Sequence, residues 1–361
     1  LEELRARARE EGLWNLCFTG EGGPGLSNLE YMPLAELMGI NEWAPEVFNC
    51  NPPDSGNIAL LDRFANPQQR ERWLRPLLNG DIRSCFAMTE PGIASSDATN
   101  MRASAVRDGD DWVLTGKKWW ISGPGNPACK FAIVMCRTED EAKDAYHQHS
   151  MMIVPIDLPG VKIERQLTTF GFDHAPRGQS ELHFESARVP DANVILGQGR
   201  GFEIAQSRLG GGRLHHAARC VGAAERALEM TCRRALARRA FGKTLASLGA
   251  NSDKIADSRA QIEMTRLLVW KAADALDRLG AKGARSEISQ AKIVAPTMAA
   301  TVIDRAIQLH GAEGLSQDQP LGALYARIRS LRIVDGPDEV HLRVIARVEL
   351  DKYRNNEETR Q

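Results

Sequence analysis

Five stretches carry residue types that can do chemistry. In Cys85 to Asp97, CFAMTEPGIASSD, a short apolar strand from Phe86 to Met88 is expected to break at Pro91-Gly92 into a loop with hydroxyls at Thr89, Ser95 and Ser96. Backbone N–H groups and hydroxyls freed at a strand end can hydrogen-bond a buried heterocycle or a phosphate. The same composition also makes an ordinary strand and turn. In GKKWWISG, Gly116 to Gly123, the adjacent tryptophans are expected on opposite faces of a strand, one of them in a core or a ligand pocket. ARRAFGKTL, Ala237 to Leu245, is a cationic helix end that can meet a phosphate or simply stop a helix. QLHGAEG, Gln308 to Gly314, reads as a helix C-cap. Asp335 precedes Gly336-Pro337 at a turn opening the last helix, where a carboxylate is usually a cap or turn residue.

Composition narrows what these stretches can serve. The 361 residues exceed what one hydrophobic core fills, so two or three packed units are expected. A formal net charge of -1 gives no electrostatic case for nucleic acid or an anionic membrane. No apolar run approaches the roughly 20 residues of a membrane helix. The opening LEELRARARE reads as a charged helix and not a leader, and a start at Leu1 suggests a trimmed chain or one that begins partway through a helix. Seven cysteines, an odd number without a Cys-x-x-Cys pair, are expected as reduced core thiols. Among the histidines, His147 and His149 lie in a polar loop. His215 and His216 would diverge by about 100° on a helix. No structural metal is expected.

The elements follow in the order α, β, α. Residues 1 to about 80 read as helices interrupted by GEGGPG (Gly20 to Gly25) and Asn51-Pro52-Pro53, with Asn66-Pro67 opening a further helix. From Ser84 to about Leu196 the period changes to two, with a turn expected at Gly116 and others at Asp108-Gly109 and Pro159-Gly160. Many short strands at this spacing suggest a small barrel or sandwich. Gly197-x-Gly199-x-Gly201 reads as a linker. Beyond it the chain is helical: Ile255, Ile262, Val269 and Leu276 recur every seven residues as a bundle seam. Helices are also expected over Ala284 to Leu309, kinked at Pro296, Gln319 to Ser330 and Glu339 to Tyr353. The fold class is α+β: an N-terminal α-helical domain (1–83), a middle β-barrel or sandwich domain (84–199) and a C-terminal four-helix-bundle domain (200–361). With no βαβ repeat, a parallel nucleotide-binding sheet is disfavoured.

Taken together, the order and wording of the motifs resemble the acyl-CoA dehydrogenase superfamily over nearly the whole chain. The branch called acyl-CoA dehydrogenase family members ten and eleven is most similar, at Met88 to Asn100, Thr115 to Pro127 and Asp335 to His341. The resemblance implies FAD held between the middle domain and the bundle. Phe86, Met88 and Thr89 would meet the flavin ring, Ser95 or Ser96 the pyrophosphate, and Trp120 and Ser122 would wall the ring. Pro337 and Glu339 would also lie at the cofactor. Arg238, Phe241, Gln308, Gly311 and Ala312 match positions that reach the FAD of a neighbouring subunit, which implies a homo-oligomer, dimer or tetramer. Arg213, Gly336 and Arg347 fall at substrate positions, the two arginines toward CoA, and Ser96 lies near both ligands.

The resemblance also implies a reaction: α,β-dehydrogenation of an acyl-CoA to the 2-enoyl-CoA, with hydride to flavin N5 and electrons on to an electron-transfer flavoprotein. The thioester oxygen would be held by a flavin ribityl hydroxyl and the base's own backbone N–H, an oxyanion-hole arrangement. The family's base is usually glutamate; Asp335 stands in that place, one methylene shorter. Gly212 occupies the position where some members carry the base instead. Asp338 and Glu339 are rival carboxylates, expected to be solvated or beside the flavin. The alternative enzyme is a flavin oxidase on the same scaffold, acting on an acyl-CoA or a nitroalkane, which the aspartate keeps open and the arginines oppose. A non-catalytic scaffold is the reading from another class. The compartment implied is cytoplasmic for a bacterial protein, mitochondrial or peroxisomal for a eukaryotic one.

Overall fold

In a computed structural model, residues 1–139 and 144–358 are described. They form two compact units, Leu1–Gly25 with Glu46–Leu209, and Leu26–Pro45 with Gly210–Gln361.

The first unit is built on one seven-stranded mixed sheet. Its strands are β1 (Arg83–Ala87), β2 (Ser104–Asp108), β3 (Asp111–Ser122), β4 (Cys129–Arg137), β5 (His149–Pro155), β6 (Val161–Leu167) and β7 (Gln179–Pro190). The order is β1-β4-β2-β3-β7-β6, with β5 on β4 and β1 parallel to β4. β4 is apolar from Phe131 to Cys136 because both its faces are buried there. Phe131, Ile133 and Met135 pack against Ile58 and Leu61 of helix α3 (numbered after α1, Glu2–Glu10, and α2, Asn28–Gly39; α3 is Asp54–Phe64) and against Trp73. Ala132, Val134 and Cys136 point the other way, into a core shared with Trp112, Leu114, Leu182 and Phe184. A single core fed by β1, β3, β4 and β7 requires the sheet to curl on itself.

Three local expectations are corrected. β1 begins earlier than Phe86 and ends at Ala87, so Met88 already belongs to the loop. The buried Asp54 carboxylate draws the start back, accepting from Ser84 N at 2.8 Å and Ser84 Oγ at 2.6 Å. Gly116 is not a turn: it lies inside β3 at φ +148°, where a Cβ would come 2.6 Å from that of Ala103. Close approach, not chain reversal, excludes a side chain there. The tryptophans do not straddle the strand either. Trp120 takes φ +54° at a bulge between Lys118 and Ile121, and the two rings lie 6.3 Å apart at 61°. The bulge breaks the alternation that period two assumes.

The second unit is helical: α4 (Gly201–Ala237, from Gly210 onward in this unit), α5 (Asn251–Gly283), α6 (Arg285–His310), α7 (Leu321–Ser330) and α8 (Asp338–Glu358). Ile262 and Val269 of the seven-residue seam are buried, as is Pro296, which lies inside α6. α2 belongs to this unit and lies close on α4. A Cβ at Gly222 would meet the Glu36 carbonyl at 1.9 Å, and Arg266 of α5 bridges Glu36 and Glu225. Among the described residues no helix is long and apolar enough to cross a membrane.

A buried ion pair ties the loop after β1 to β3. Lys118, wholly buried, donates to the Met88 carbonyl at 2.9 Å and to Glu90 Oε1 at 2.7 Å. Glu90 also accepts from Arg102 N at 2.7 Å and Ala103 N at 2.9 Å, closing the loop on itself. Removing one partner of such a pair strands the other charge. Lys118→Met should therefore cost about 3–5 kcal/mol in denaturant unfolding, and adding Glu90→Gln should restore much of it. A single variant within about 1 kcal/mol of the parent would show that the pair does not hold the loop.

Candidate functional site

The loop residues expected at a heterocycle are gathered by that pair. Phe86, Met88 and Thr89 are each half-buried, and the Thr89 carbonyl accepts from Trp119 N at 3.0 Å, so the loop runs beside the bulged part of β3. The Phe86 ring carries the Arg208 guanidinium 3.9 Å from its centroid. Ser95 and Ser96 have different fates: Ser95 Oγ accepts from Glu90 N at 2.9 Å, whereas Ser96 is exposed. Trp120 is 42% exposed and Ser122 half-buried. The left-handed backbone at Trp120 turns its indole out of the sheet's core. Sequence reasoning missed Glu90 and Lys118, because nothing in MTEP or GKKWW distinguishes a buried charge from a solvated one.

The carboxylate site lies in the second unit. Asp335 sits in the left-handed region at φ +58°, which Asp tolerates better than most residues, followed by Gly336 at φ +106°. A Cβ on Gly336 would come 3.0 Å from His341 Nε2, so glycine is required. Three helices grip this turn. Arg213 Nε of α4 donates to the Asp335 carbonyl at 3.0 Å, and His341 Nε2 of α8 lies 3.3 Å from the same oxygen. Lys292 Nζ of α6 reaches the Gly336 carbonyl at 3.2 Å and the Leu331 carbonyl at 2.6 Å. The carboxylate itself is 19% exposed, with His216 Nε2 at 3.5 Å from Oδ2.

Burial lowers the pKa of Arg213 and of Lys292 while the Asp335 charge raises both. The structure thus brings together Asp335, Gly336 and Arg213 of the expected set. It adds His216, His341 and Lys292, for which spacing offered no signal beyond one helix face. Of the rival carboxylates, Asp338 is buried, not solvated, and is clamped by Arg332 through Nε and Nη2, both at 2.7 Å. Glu339 is exposed at the start of α8, Pro337 is half-buried just before it, and Arg347 is exposed further along.

The remaining candidates lie at the far ends of α4 and α6. After α4 the chain makes a two-residue hairpin, Arg239–Ala240 with Lys243–Thr244, rather than a simple helix stop. Phe241 at its tip is 96% exposed at φ +51°, and Arg238 is exposed beside it. Gln308 lines a pocket of about 240 Å³ with Thr231, Asn251, Lys254 and Arg305. Gly311 ends α6 at φ +67°, Ala312 is exposed, and Arg234 fastens this corner through the His310 carbonyl and Glu313.

Three histidines of this unit have depressed pKa values: His341 of α8 is buried, and His215 and His216 of α4 are half-buried. Burial, then the charge of Arg219 and of His216, pushes His215 down from 6.5 to about 3. Burial, opposed by Asp335, takes His216 to about 4, and burial with Arg213 and Lys292 takes His341 to about 4. Each folded value lies below the unfolded one, so the folded chain binds fewer protons. The stability they contribute is complete above about pH 6.5 and is lost as the pH falls toward 4. At pH 5 the loss is about 2 kcal/mol per histidine. Melting temperature should therefore drop from neutral pH to pH 5, less steeply in His215→Phe; an identical slope in that variant would remove His215 from the account.

Comparison with known proteins bears on what this site serves. Residues 85–187 match the family model for the acyl-CoA dehydrogenase middle domain, and residues 199–350 that for the acyl-CoA dehydrogenase C-terminal domain. Acyl-CoA dehydrogenase family member 11 of Gallus gallus is 52% identical over 351 residues, 97% of this chain and 45% of that protein. The chain thus spans about half the length of these curated relatives. Probable acyl-CoA dehydrogenase FadE2 of Mycobacterium tuberculosis is 51% identical over 98% of this chain and 86% of its own. A structure described as an acyl-CoA dehydrogenase from Mycobacterium abscessus superposes with a TM-score of 0.96 at 55% identity, covering 98% of this chain and 86% of that one. Butyryl-CoA dehydrogenase from Megasphaera elsdenii gives 0.83 at 27%, over 97% and 90%. By sequence and by fold, the chain belongs to the acyl-CoA dehydrogenase family.

Proposed function

We propose that the chain catalyses FAD-dependent α,β-dehydrogenation of an acyl-CoA thioester, with Asp335 as the base. Family membership supports the flavin and the reaction class. The observation that carries the residue assignment is the gripped turn: a partly exposed carboxylate on a left-handed residue whose backbone is fixed from three helices. A base must come within roughly 2.6–3.2 Å of the proton it takes, so a short side chain needs a backbone that does not drift. Asp338 is committed to Arg332, which leaves Asp335 as the carboxylate free to act at this turn.

The first unit suits the cofactor. The exposed indole of Trp120 and the hydroxyls of Thr89, Ser96 and Ser122 on the same unit would supply a flat wall and neutral donors, as a flavin ring with a pyrophosphate tail needs. Ser96 is our choice for the pyrophosphate, since the Ser95 hydroxyl is already engaged by Glu90 N. Phe86, Met88 and Thr89 would border the ring. When bound, FAD supplies the hydride acceptor. The chain's part is to orient the acyl group, exclude water and hold the α-proton on Asp335. Arg213 and Arg347 are assigned to the CoA moiety and Gly336 to the thioester. The exposed Phe241 and Arg238, with Gln308, Gly311 and Ala312, support contact with the FAD of a second subunit. Pro337 and Glu339 are assigned to the cofactor's edge, and an electron-transfer flavoprotein to electron acceptance. Segments 1–83, 84–199 and 200–361 are proposed as the functional divisions.

Asp335→Asn should bind FAD as the parent does but lose anaerobic bleaching of the flavin by acyl-CoAs of varied length and branching. The expected fall is about 10²–10⁴-fold. Bleaching at the parental rate would place the base elsewhere. Oxygen-dependent peroxide release by the parent would favour an oxidase on the same scaffold.

A further inference from the structure

Gly212 and Arg213 lie four and three residues before His216 on α4, so each is its neighbour one turn away. All three meet Asp335. A Cβ on Gly212 would stand 4.0 Å from Asp335 Oδ2, Arg213 Nε holds the Asp335 carbonyl at 3.0 Å, and His216 Nε2 faces Oδ2 at 3.5 Å. Arg213 fixes the backbone. His216 is the group that addresses the carboxylate. We propose that His216 is a positioning residue for Asp335: its Nε2–H holds Oδ2, so that Oδ1 is the oxygen presented to the substrate's α-proton.

The inference rests on Asp335 being the base and adds a partner to it. A carboxylate turning about its last bond presents either oxygen; one donor on one oxygen removes that freedom before substrate arrives. At 3.5 Å the contact is longer than a good hydrogen bond. Catalytic contacts are often loose in the ligand-free protein and tighten when substrate excludes water. The imidazole has the protonation state the role needs. The groups around it are Asp335 on the turn, His215 and Arg219 on α4, Lys292 on α6 and Arg327 on α7. Burial and the three cations outweigh Asp335 and take His216 down to about 4, so at neutral pH it is a neutral donor and not a counter-ion. A neutral donor on one oxygen favours the charged form of a carboxylate.

The test uses the FAD-loaded enzyme and the acyl-CoA that bleaches the parent fastest, and reads anaerobic flavin reduction against pH. His216→Leu should keep its flavin, slow reduction about 10- to 100-fold and move the acid limb of kcat/KM up by about one pH unit. The sign follows from the lost donor, which had favoured the charged form of the carboxylate. His216→Gln, which retains an N–H, should recover most of the rate and return the limb. If His216→Leu does not hold flavin, His216→Met, closer to imidazole in volume, reads the same limb. An unmoved acid limb in the apolar variant, or equal losses in the leucine and glutamine variants, overturns the positioning role. Asp335→Asn, run alongside, separates the two ideas. An inactive Asp335→Asn beside unchanged His216 variants defeats the positioning alone, whereas an active Asp335→Asn defeats the base itself.

Discussion

A base on a side chain as short as that of Asp335, the residue proposed for the role, puts its precision into the backbone. The Asp335-Gly336 turn is where the helical unit meets that demand. Its two carbonyls receive Arg213 from α4, His341 from α8 and Lys292 from α6, so the turn cannot shift without moving three helices. Gly336 completes the constraint, because any side chain there would strike His341. Lys292 and His341 have almost no exposed surface, and polar groups so buried are tolerated only when they are bonded. Their presence beside the proposed base is best read as the cost of holding a left-handed turn still.

The sheet unit solves a similar problem by other means. The loop after β1 carries Pro91 and two glycine-like small stretches, a composition that would ordinarily leave it mobile. Glu90 gives it an internal skeleton, accepting two backbone N–H groups and the Lys118 ammonium. β3 contributes the anchor and the exposed indole within three residues, Lys118 inward and Trp120 outward, because the bulge between them reverses the ordinary alternation. The same irregularity that misled a period-two reading is thus what lets one strand both fix the loop and offer it a wall.

The parts of the molecule legible in the sequence were those set by local pattern. Helix periodicity, the Ile262 and Val269 seam, the Asn66-Pro67 helix start and the switch to strands near Ser84 all follow from spacing and capping. The proposed site residues were named from wording, through resemblance, and of these Arg213 and Asp335 lie in contact. What spacing could not reveal was burial of charge. Lys118, Glu90, Lys292 and Asp338 look like surface residues in one dimension, and only the tertiary fold supplies the carbonyls and guanidinium that pair them. Gly116 failed for the complementary reason. It is a strong local signal for a turn that packing overrode.

That pattern bears on how the carboxylate turn could have been reached by sequence change. Gly212 leaves room on α4 facing Asp335 Oδ2, and a larger residue there would compete for the space the carboxylate and His216 share. A base on α4 and a base on the turn are therefore alternatives for one volume, not independent options. With glycine at one and aspartate at the other, this stretch of α4 is left to serve the carboxylate: Arg213 through its backbone and His216 through its oxygen. The carboxylate proposed as the base and the small residue facing it are neighbours in one arrangement, a Cβ at Gly212 standing 4.0 Å from Asp335 Oδ2.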